Sequence, residues 1–160
     1  ADGNNRQRLA NRLAPVSYYR LARAAFAEMV AAGYTSVGEF HYVHHQPDGT
    51  PYRDHAMELA LVNAAIEAGI RITVLDTCYL HAGPRAPLGA DQTRFGDGSV
   101  EGWLERWHAL RDALPDSPLV TMGAALHSVR AVSPDEMATA VSGLPPVSYP
   151  LLTLATILLV

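Results

Sequence analysis

Three runs of apolar, β-prone residues along the chain each end abruptly in polar side chains. The runs cover residues 34–40, 70–75 and 119–126. They pass directly into His41, Asp76 and His127. Nearly continuous apolar runs of this kind are typical of strands in a parallel sheet that is covered on both faces. In such folds the ligand-binding groups follow the C-terminal ends of the strands, so the pattern predicts a site there.

Segments with apolar residues at helical spacing lie between these strands. Gly33 and Gly69 follow the first two segments, as expected just beyond a helix C-terminus. Asp54 is expected to cap the second helix, and the capping box Ser133-Pro134-Asp135-Glu136 opens the last. The predicted helices cover residues 16–32, 54–68, 99–114 and 133–141. The alternation of strands and helices predicts parallel strand pairing.

This order of elements predicts an α/β fold, namely a fragment of a (β/α)8 TIM-type barrel. The chain has 160 residues, whereas a closed eightfold barrel needs about 250. It holds three βα units and a doubtful fourth strand. We divide it into an N-terminal segment (1–15), a partial barrel domain (16–146) and an aberrant apolar tail (147–160). A small doubly wound domain is the alternative, although no Gly-rich phosphate loop follows a strand.

The two ends of the chain depart from this rhythm. Residues 151–160 carry no charge and are too few to span a bilayer. Because nothing follows to cover them, we interpret the tail as a truncation or an aberrant reading frame near residue 148. The N-terminus lacks an apolar signal segment and an initiator Met. We therefore expect the chain to begin inside a longer reading frame, without a secretory signal.

Composition narrows the classes of partner. The net charge of −4 gives no broad basic field, so we expect a small polar ligand and neither nucleic acid nor membrane as partner. Cys78 is the single cysteine, which excludes an internal disulfide framework and favours the cytoplasm. Its thiol, at the end of a buried strand, is expected to be packed rather than nucleophilic. The same packing role is expected for Trp103 and Trp107.

The loop after the first strand contains three histidines: His41, His44 and His45. Imidazoles four residues apart converge on a metal only if the backbone is helical, and His41 ends an extended strand. No Asp, Glu or Cys at a recognised ligand spacing completes the set, so no metal site is predicted there. Either Tyr42 and one histidine bind a polar ligand, or these side chains hold the loop together.

Two carboxylates near the strand ends are also candidates for chemistry. Glu39 lies within the first strand, and if it faces a barrel interior it needs a His or Arg partner. Asp76 ends the middle strand, where it either orients a neighbouring His or Arg or caps the turn. No spacing along the chain is specific enough to identify a hydrolytic triad or a glycosidase pair of carboxylates.

His127 and Arg130 form the clearest ligand-binding pair. The guanidinium group offers a planar fork of donors that suits a carboxylate, and the imidazole adds a donor beside it. Both follow the third strand directly. The alternative is that Arg130 pairs with Asp135 or Glu136 at the start of the next helix.

Several segments of the amino-acid sequence resemble those of a known family. Residues 32–45 read AGYTSVGEFHYVHH and closely resemble the formimidoylglutamate deiminase (N-formimino-L-glutamate iminohydrolase) family of the amidohydrolase superfamily. The resemblance covers roughly residues 18–145. It continues through GIRITVLDTCY (69–79), QTRF (92–95), DGSV (97–100) and GAALHSVRAV (123–132).

This resemblance implies a metal-dependent (β/α)8 barrel that acts in histidine degradation. Such an enzyme hydrolyses N-formimino-L-glutamate to N-formyl-L-glutamate and ammonia, using a zinc-activated water and a neighbouring acid/base group. Carried over, Tyr42, His127 and Arg130 match family positions that contact the substrate. The expected ligand is therefore a small anionic substrate.

The family takes its zinc ligands from a His-x-His on the first strand and from later strands, one of which bears a His followed by a catalytic Glu. This chain has no His-x-His, and residues 147–152 stand where a histidine-bearing strand is expected. We therefore assign no catalytic residue and no metal ligand here, place the zinc in the parent protein, and expect this polypeptide alone to be inactive. The alternatives are another amidohydrolase deaminase, such as an imidazolonepropionase-like enzyme, and a non-catalytic fragment that binds anions or forms a homo-oligomer.

Overall fold

A computed structural model of the chain describes residues 9–145. Residues 1–8, the apolar tail and the doubtful fourth strand lie outside the described residues. Seven elements alternate as the sequence predicts, and single turns of 3₁₀ helix cover Arg53–His55 and Thr93–Phe95. They are helix α1 (Pro15–Ala31), strand β1 (Ser36–His41), α2 (Ala56–Ala68), β2 (Arg71–Cys78), α3 (Val100–Ala113), β3 (Val120–Leu126) and α4 (Pro134–Gly143).

The three strands form one sheet in the order β1-β2-β3, and both pairs are parallel. His41 is in register with Asp76, and Asp76 with Ala124. The C-terminal ends of all three strands therefore lie at the same edge of the sheet. This confirms the predicted α/β fold with parallel strands. Closure into a TIM-type barrel stays a prediction.

The helices bury one face of this sheet in two adjoining apolar clusters. The first joins α1 and α2 to β2 through Phe26, Leu61 and Val74. The second surrounds Trp103 and Trp107 of α3, which are 0% and 6% exposed. The packing role predicted for both tryptophans is confirmed. Burial of each such side chain stabilises the fold by about 1.5–3 kcal/mol.

The helix ends follow the local signals, with one exception. Ser99 and Ser133 cap α3 and α4 with their side chains, and Gly69 ends α2 at φ +78°. The expectation that Asp54 caps α2 is wrong, because that helix begins at Ala56 after His55. Asp54 and His55 have φ of +55° and +51°. Two consecutive left-handed residues turn the chain before the helix starts, which leaves Asp54 in the 3₁₀ turn.

The strand register also settles the orientation of Glu39. Val37, Glu39 and His41 occupy alternate positions of β1 and therefore lie on the same face of the strand. Val37 packs in the apolar cluster beneath the helices. Glu39 therefore lies on the helix-covered face, and the alternative in which it faces a barrel interior does not apply. Partial burial raises the pKa of its carboxyl group, although nearby His41 acts in the opposite direction. Within residues 9–145 no helix is long and apolar enough to cross a membrane.

Candidate anion-binding site and a buried polar network

Three aromatic rings meet where the strands end. Tyr42, Tyr79 and His127 each follow their strand by one residue. The ring centroid of His127 lies 4.0 Å from that of Tyr79 and 5.3 Å from that of Tyr42. Parallel pairing in register brings Tyr42 and His127 together at this edge of the sheet, and the site predicted there stays a prediction.

Backbone hydrogen bonds fix the segments that carry these rings. The amide of His127 donates to the carbonyl of Cys78 over 3.0 Å, which continues the β2–β3 ladder beyond the strands. The amides of Leu80 and His81 both donate to the carbonyl of Ala131. The loops after β2 and β3 are therefore held to each other at the edge of the site.

His127 presents a neutral imidazole at neutral pH. Burial in the aromatic cluster and, as the smaller cause, the positive charge of nearby Arg130 together lower its pKa to about 4. Its Nδ1 lies 3.3 Å from the hydroxyl of Ser128. Its Nε2 has no protein partner within residues 9–145, so that atom is available to a ligand.

Arg130 and Tyr42 also keep polar atoms available. Arg130 is exposed, and it makes no ion pair with any residue that the structure describes. The alternative pairing with Asp135 or Glu136 is not found, since Glu136 instead accepts from His81 over 2.8 Å. The hydroxyl of half-buried Tyr42 makes no hydrogen bond in the described part of the chain. That these three residues contact a substrate stays a prediction.

We expect His127 to titrate near pH 4 when its ring carbons are followed by NMR. A histidine in an unfolded chain has a pKa of about 6.5. The unfolded chain therefore binds this proton more readily than the folded one. His127 therefore stabilises the fold fully above pH 6.5, and this contribution is lost as the pH falls towards 4. His127→Gln should remove the corresponding slope of the free energy of unfolding. A midpoint near 6.5 in the folded protein would contradict the burial of this ring.

Behind the aromatic cluster, Arg106 of α3 joins two buried carboxylates. Its guanidinium group donates to Asp76 over 2.7 and 3.0 Å and to Asp97 over 2.7 and 3.1 Å. The indole of Trp103 also donates to Asp76, over 2.8 Å. Of the two alternatives for Asp76, these contacts fit the one in which it orients a neighbouring His or Arg, with Arg106 as the partner.

Electrostatics in this network favour the charged forms. Burial alone would raise the pKa of Asp97, but hydrogen bonds from His45 and the charge of Arg106 hold it well below its usual range. Burial alone would lower the pKa of Arg106, which also disfavours the charged form, but the two carboxylates raise this pKa. Asp97 and Arg106 therefore stay charged in the interior.

Two of the loop histidines converge on a carboxylate that sequence reasoning missed. Glu58 of α2 is 1% exposed, and its Oε1 lies 2.8 Å from Nδ1 of His44 and 3.3 Å from Nε2 of His41. Burial would raise the pKa of Glu58, but the hydrogen bonds from the two histidines hold it well below its usual range. The one available signal was a lone Glu on the apolar first turn of that helix.

His44 links this cluster to the middle strand. Its Nε2 donates to the carbonyl of Thr77 over 3.1 Å, and its Nδ1 faces Glu58. His45 reaches Asp97 over 2.8 Å from the other side. The loop after β1 is therefore tied to β2 and to the segment before α3, as in the alternative in which the histidines hold the loop together.

By composition, His41, His44 and Glu58 could hold a metal ion, since their ligand atoms all lie within 4.8 Å of one another. Glu58 thus completes the set in space, although it does not lie at a recognised ligand spacing along the chain. A catalytic zinc, however, keeps an open position for water, and these residues are 2%, 2% and 1% exposed.

Further observations argue against zinc at this cluster. Donor atoms on one tetrahedral zinc lie about 3.3 Å apart, whereas Nδ1 of His44 and Oε1 of Glu58 are 2.8 Å apart, as in a hydrogen bond. The guanidinium of Arg106 lies 3.5 Å from the same oxygen. We conclude that the cluster does not fit a catalytic zinc and that it is an ion-paired hydrogen-bond network.

Cys78 lies close to this network but does not fit a nucleophile. Its side chain is buried, and burial together with Asp97 and other nearby carboxylates raises the pKa of the thiol. A protonated thiol is a poor nucleophile. The arrangement agrees with the expectation that Cys78 is packed.

Comparisons with known proteins give two informative matches, while no family model matches the chain. Formimidoylglutamate deiminase from Pseudomonas aeruginosa is 42% identical over 134 residues, which are 82% of this chain and 29% of that protein. The crystal structure of an amidohydrolase from Brucella melitensis superposes with a TM-score of 0.82 at 34% identity, covering 89% of this chain and 32% of that chain.

Both matches span most of this chain and under a third of the relative. The sequence match agrees with the resemblance carried by residues 32–45 and 123–132, and the structural match agrees with the three parallel βα units. The resemblance to formimidoylglutamate deiminase and to an amidohydrolase is therefore confirmed, and the chain matches only a part of each of these proteins.

Proposed function

We propose that this chain is part of a (β/α)8-barrel amidohydrolase that hydrolyses the C=N bond of N-formimino-L-glutamate, giving N-formyl-L-glutamate and ammonia. Within that enzyme it supplies part of the pocket for the substrate's carboxylates. The observation that carries this proposal is the meeting of Tyr42 and His127 at the strand ends, next to exposed Arg130. The relationship to formimidoylglutamate deiminase supports the choice of substrate.

The chemistry of the three groups suits an anion. Arg130 offers a planar fork of donors that can bind both oxygens of one carboxylate. Neutral His127 and the Tyr42 hydroxyl each offer a single hydrogen-bond donor. The surrounding rings exclude water from one side of the site, which strengthens each of these contacts.

No hydrolytic step is assigned to a residue of this chain. The buried network around Glu58 does not fit the zinc that the family resemblance implies, and it has no opening for water or substrate. We propose that the metal and the catalytic residues belong to the part of the relatives that this chain does not match. A place in histidine degradation and in the cytoplasm is proposed on the same family ground.

Self-association is the second candidate function. Within residues 9–145 neither β1 nor β3 pairs with a further strand on its outer side. Unpaired strand edges favour pairing with another chain. Size-exclusion chromatography with light scattering separates the two candidates, because a monomer that melts cooperatively would count against a homo-oligomer.

The main test is binding and turnover on the purified chain. N-formyl-L-glutamate is titrated while the side-chain NMR signals of Tyr42 and His127 are followed, with adenine as the non-anionic control. We expect the dicarboxylate to shift both signals and adenine to shift neither. N-formimino-L-glutamate should bind similarly but release no ammonia. Dicarboxylate binding that leaves both signals unchanged would refute the proposed pocket.

A further inference from the structure

Tyr79 makes the closest aromatic contact of His127, and the family resemblance assigns it no role. The two rings stack with centroids 4.0 Å apart and planes inclined by 25°. Tyr79 is 8% exposed, whereas His127 is only half-buried. The buried phenol ring of Tyr79 therefore packs against one face of the more accessible imidazole ring.

The loop between β2 and α3 holds Tyr79 in place. Gln92, itself 9% exposed, donates from its side-chain amide to the Tyr79 hydroxyl over 2.9 Å. The carbonyl of the same side chain accepts from the amide of Gly89 over 3.0 Å. Phe95 stacks on the tyrosine ring at 5.8 Å.

The same loop passes the backbone of Tyr79 at close range. A Cβ atom at Gly96 would lie 2.7 Å from the Tyr79 carbonyl oxygen. A contact that short requires glycine at this position. The loop therefore hydrogen-bonds the hydroxyl of Tyr79 through Gln92 and packs closely against its backbone at Gly96.

Little else fixes the plane of the His127 ring. Its contact with Ser128 is 3.3 Å long, Tyr42 meets it edge-on at 5.3 Å, and Phe40 lies 5.9 Å away with its plane tilted by 39°. Rotation about the last side-chain bond of a histidine has broad minima. The stacking contact with Tyr79 therefore sets the direction in which the unpartnered Nε2 points.

We propose that Tyr79, anchored by Gln92, is a positioning residue that fixes the imidazole of His127 in the orientation in which it meets an anionic ligand. This inference rests on the proposed function of the strand-end site. Tyr79 itself makes no contact with the ligand. Its effect is transmitted through the ring of His127.

The test uses the full chain, and its first readout needs no ligand. A stacked ring shifts the His127 ring protons upfield in the NMR spectrum. We expect Tyr79→Leu to abolish this shift and Tyr79→Phe to retain most of it. Tyr34→Leu is the matched control, since Tyr34 is 59% exposed and lies outside the site. Gln92→Leu serves as the milder variant if Tyr79→Leu does not fold, and it should reduce the shift.

The second readout is affinity for N-formyl-L-glutamate. Loss of one stacking contact is expected to weaken binding about three- to tenfold in Tyr79→Leu, with no change in Tyr34→Leu. If wild type binds and neither Tyr79→Leu nor Gln92→Leu alters the shift or the affinity, the positioning role is wrong. If wild type does not bind while the upfield shift depends on Tyr79, the proposed pocket fails and the positioning of the ring stands.

Discussion

Replacing Arg106 by methionine is expected to lower the free energy of unfolding by about 3–5 kcal/mol, or to prevent folding. The guanidinium is ion-paired with both Asp76 and Asp97, which are 0% and 5% exposed at the side chain. Its loss leaves two negative charges in the interior without a counter-charge, and breaking buried pairs in this way costs that much. The whole stability of a domain is only about 5–15 kcal/mol.

Urea unfolding of matched variants measures this effect. Arg111→Met is the control, because Arg111 lies on the same helix and is 44% exposed at the side chain. Its guanidinium lies 5.8 Å from the Trp107 ring centroid, and within the described residues its ion pair is only with its neighbour Asp112. Such exposed pairs contribute about 0–1 kcal/mol. Arg106→Lys keeps the charge but loses the planar fork, so it should fall between wild type and Arg106→Met. Equal losses for Arg106→Met and Arg111→Met would refute the role of the buried network.

Much of the fold follows from signals that act within a few residues. Alternating apolar runs and helical segments predicted the parallel sheet, and Ser99, Ser133 and Gly69 marked helix ends because capping is a local interaction. The prediction that Asp54 caps α2 was wrong for a non-local reason. The 3₁₀ turn with two left-handed residues is set by the path of the loop between β1 and α2, and no cap rule describes that path.

The candidate site was also predictable only in part. Tyr42 and His127 follow parallel strands, so topology alone brings them together. Glu58 and Arg106 were missed because they come from helices, 14 residues from His44 and 30 from Asp76. Spacing rules for ligands compare residues on one element and do not see such pairs. A charged residue three positions after buried Trp103 was the available signal for Arg106.

Arg130→Met is expected to weaken binding of N-formyl-L-glutamate by about 10- to 150-fold, because a hydrogen bond to a charged group contributes about 1.5–3 kcal/mol. The matched control is Arg71→Met, which removes the same charge from an exposed position at the opposite end of β2. Arg130→Lys keeps the charge without the fork and should recover part of the affinity. Isothermal titration measures all four proteins at one ionic strength.

The control also separates recognition from general attraction of anions. Equal losses for Arg130→Met and Arg71→Met would show that only net charge matters, and the pocket would be refuted. A second readout is independent of the ligand. Since the charge of Arg130 adds to burial in lowering the pKa of His127, Arg130→Met should raise that pKa above 4 while burial keeps it below the usual histidine range. A loss of affinity together with this rise would place the guanidinium beside the imidazole, where both can meet one carboxylate.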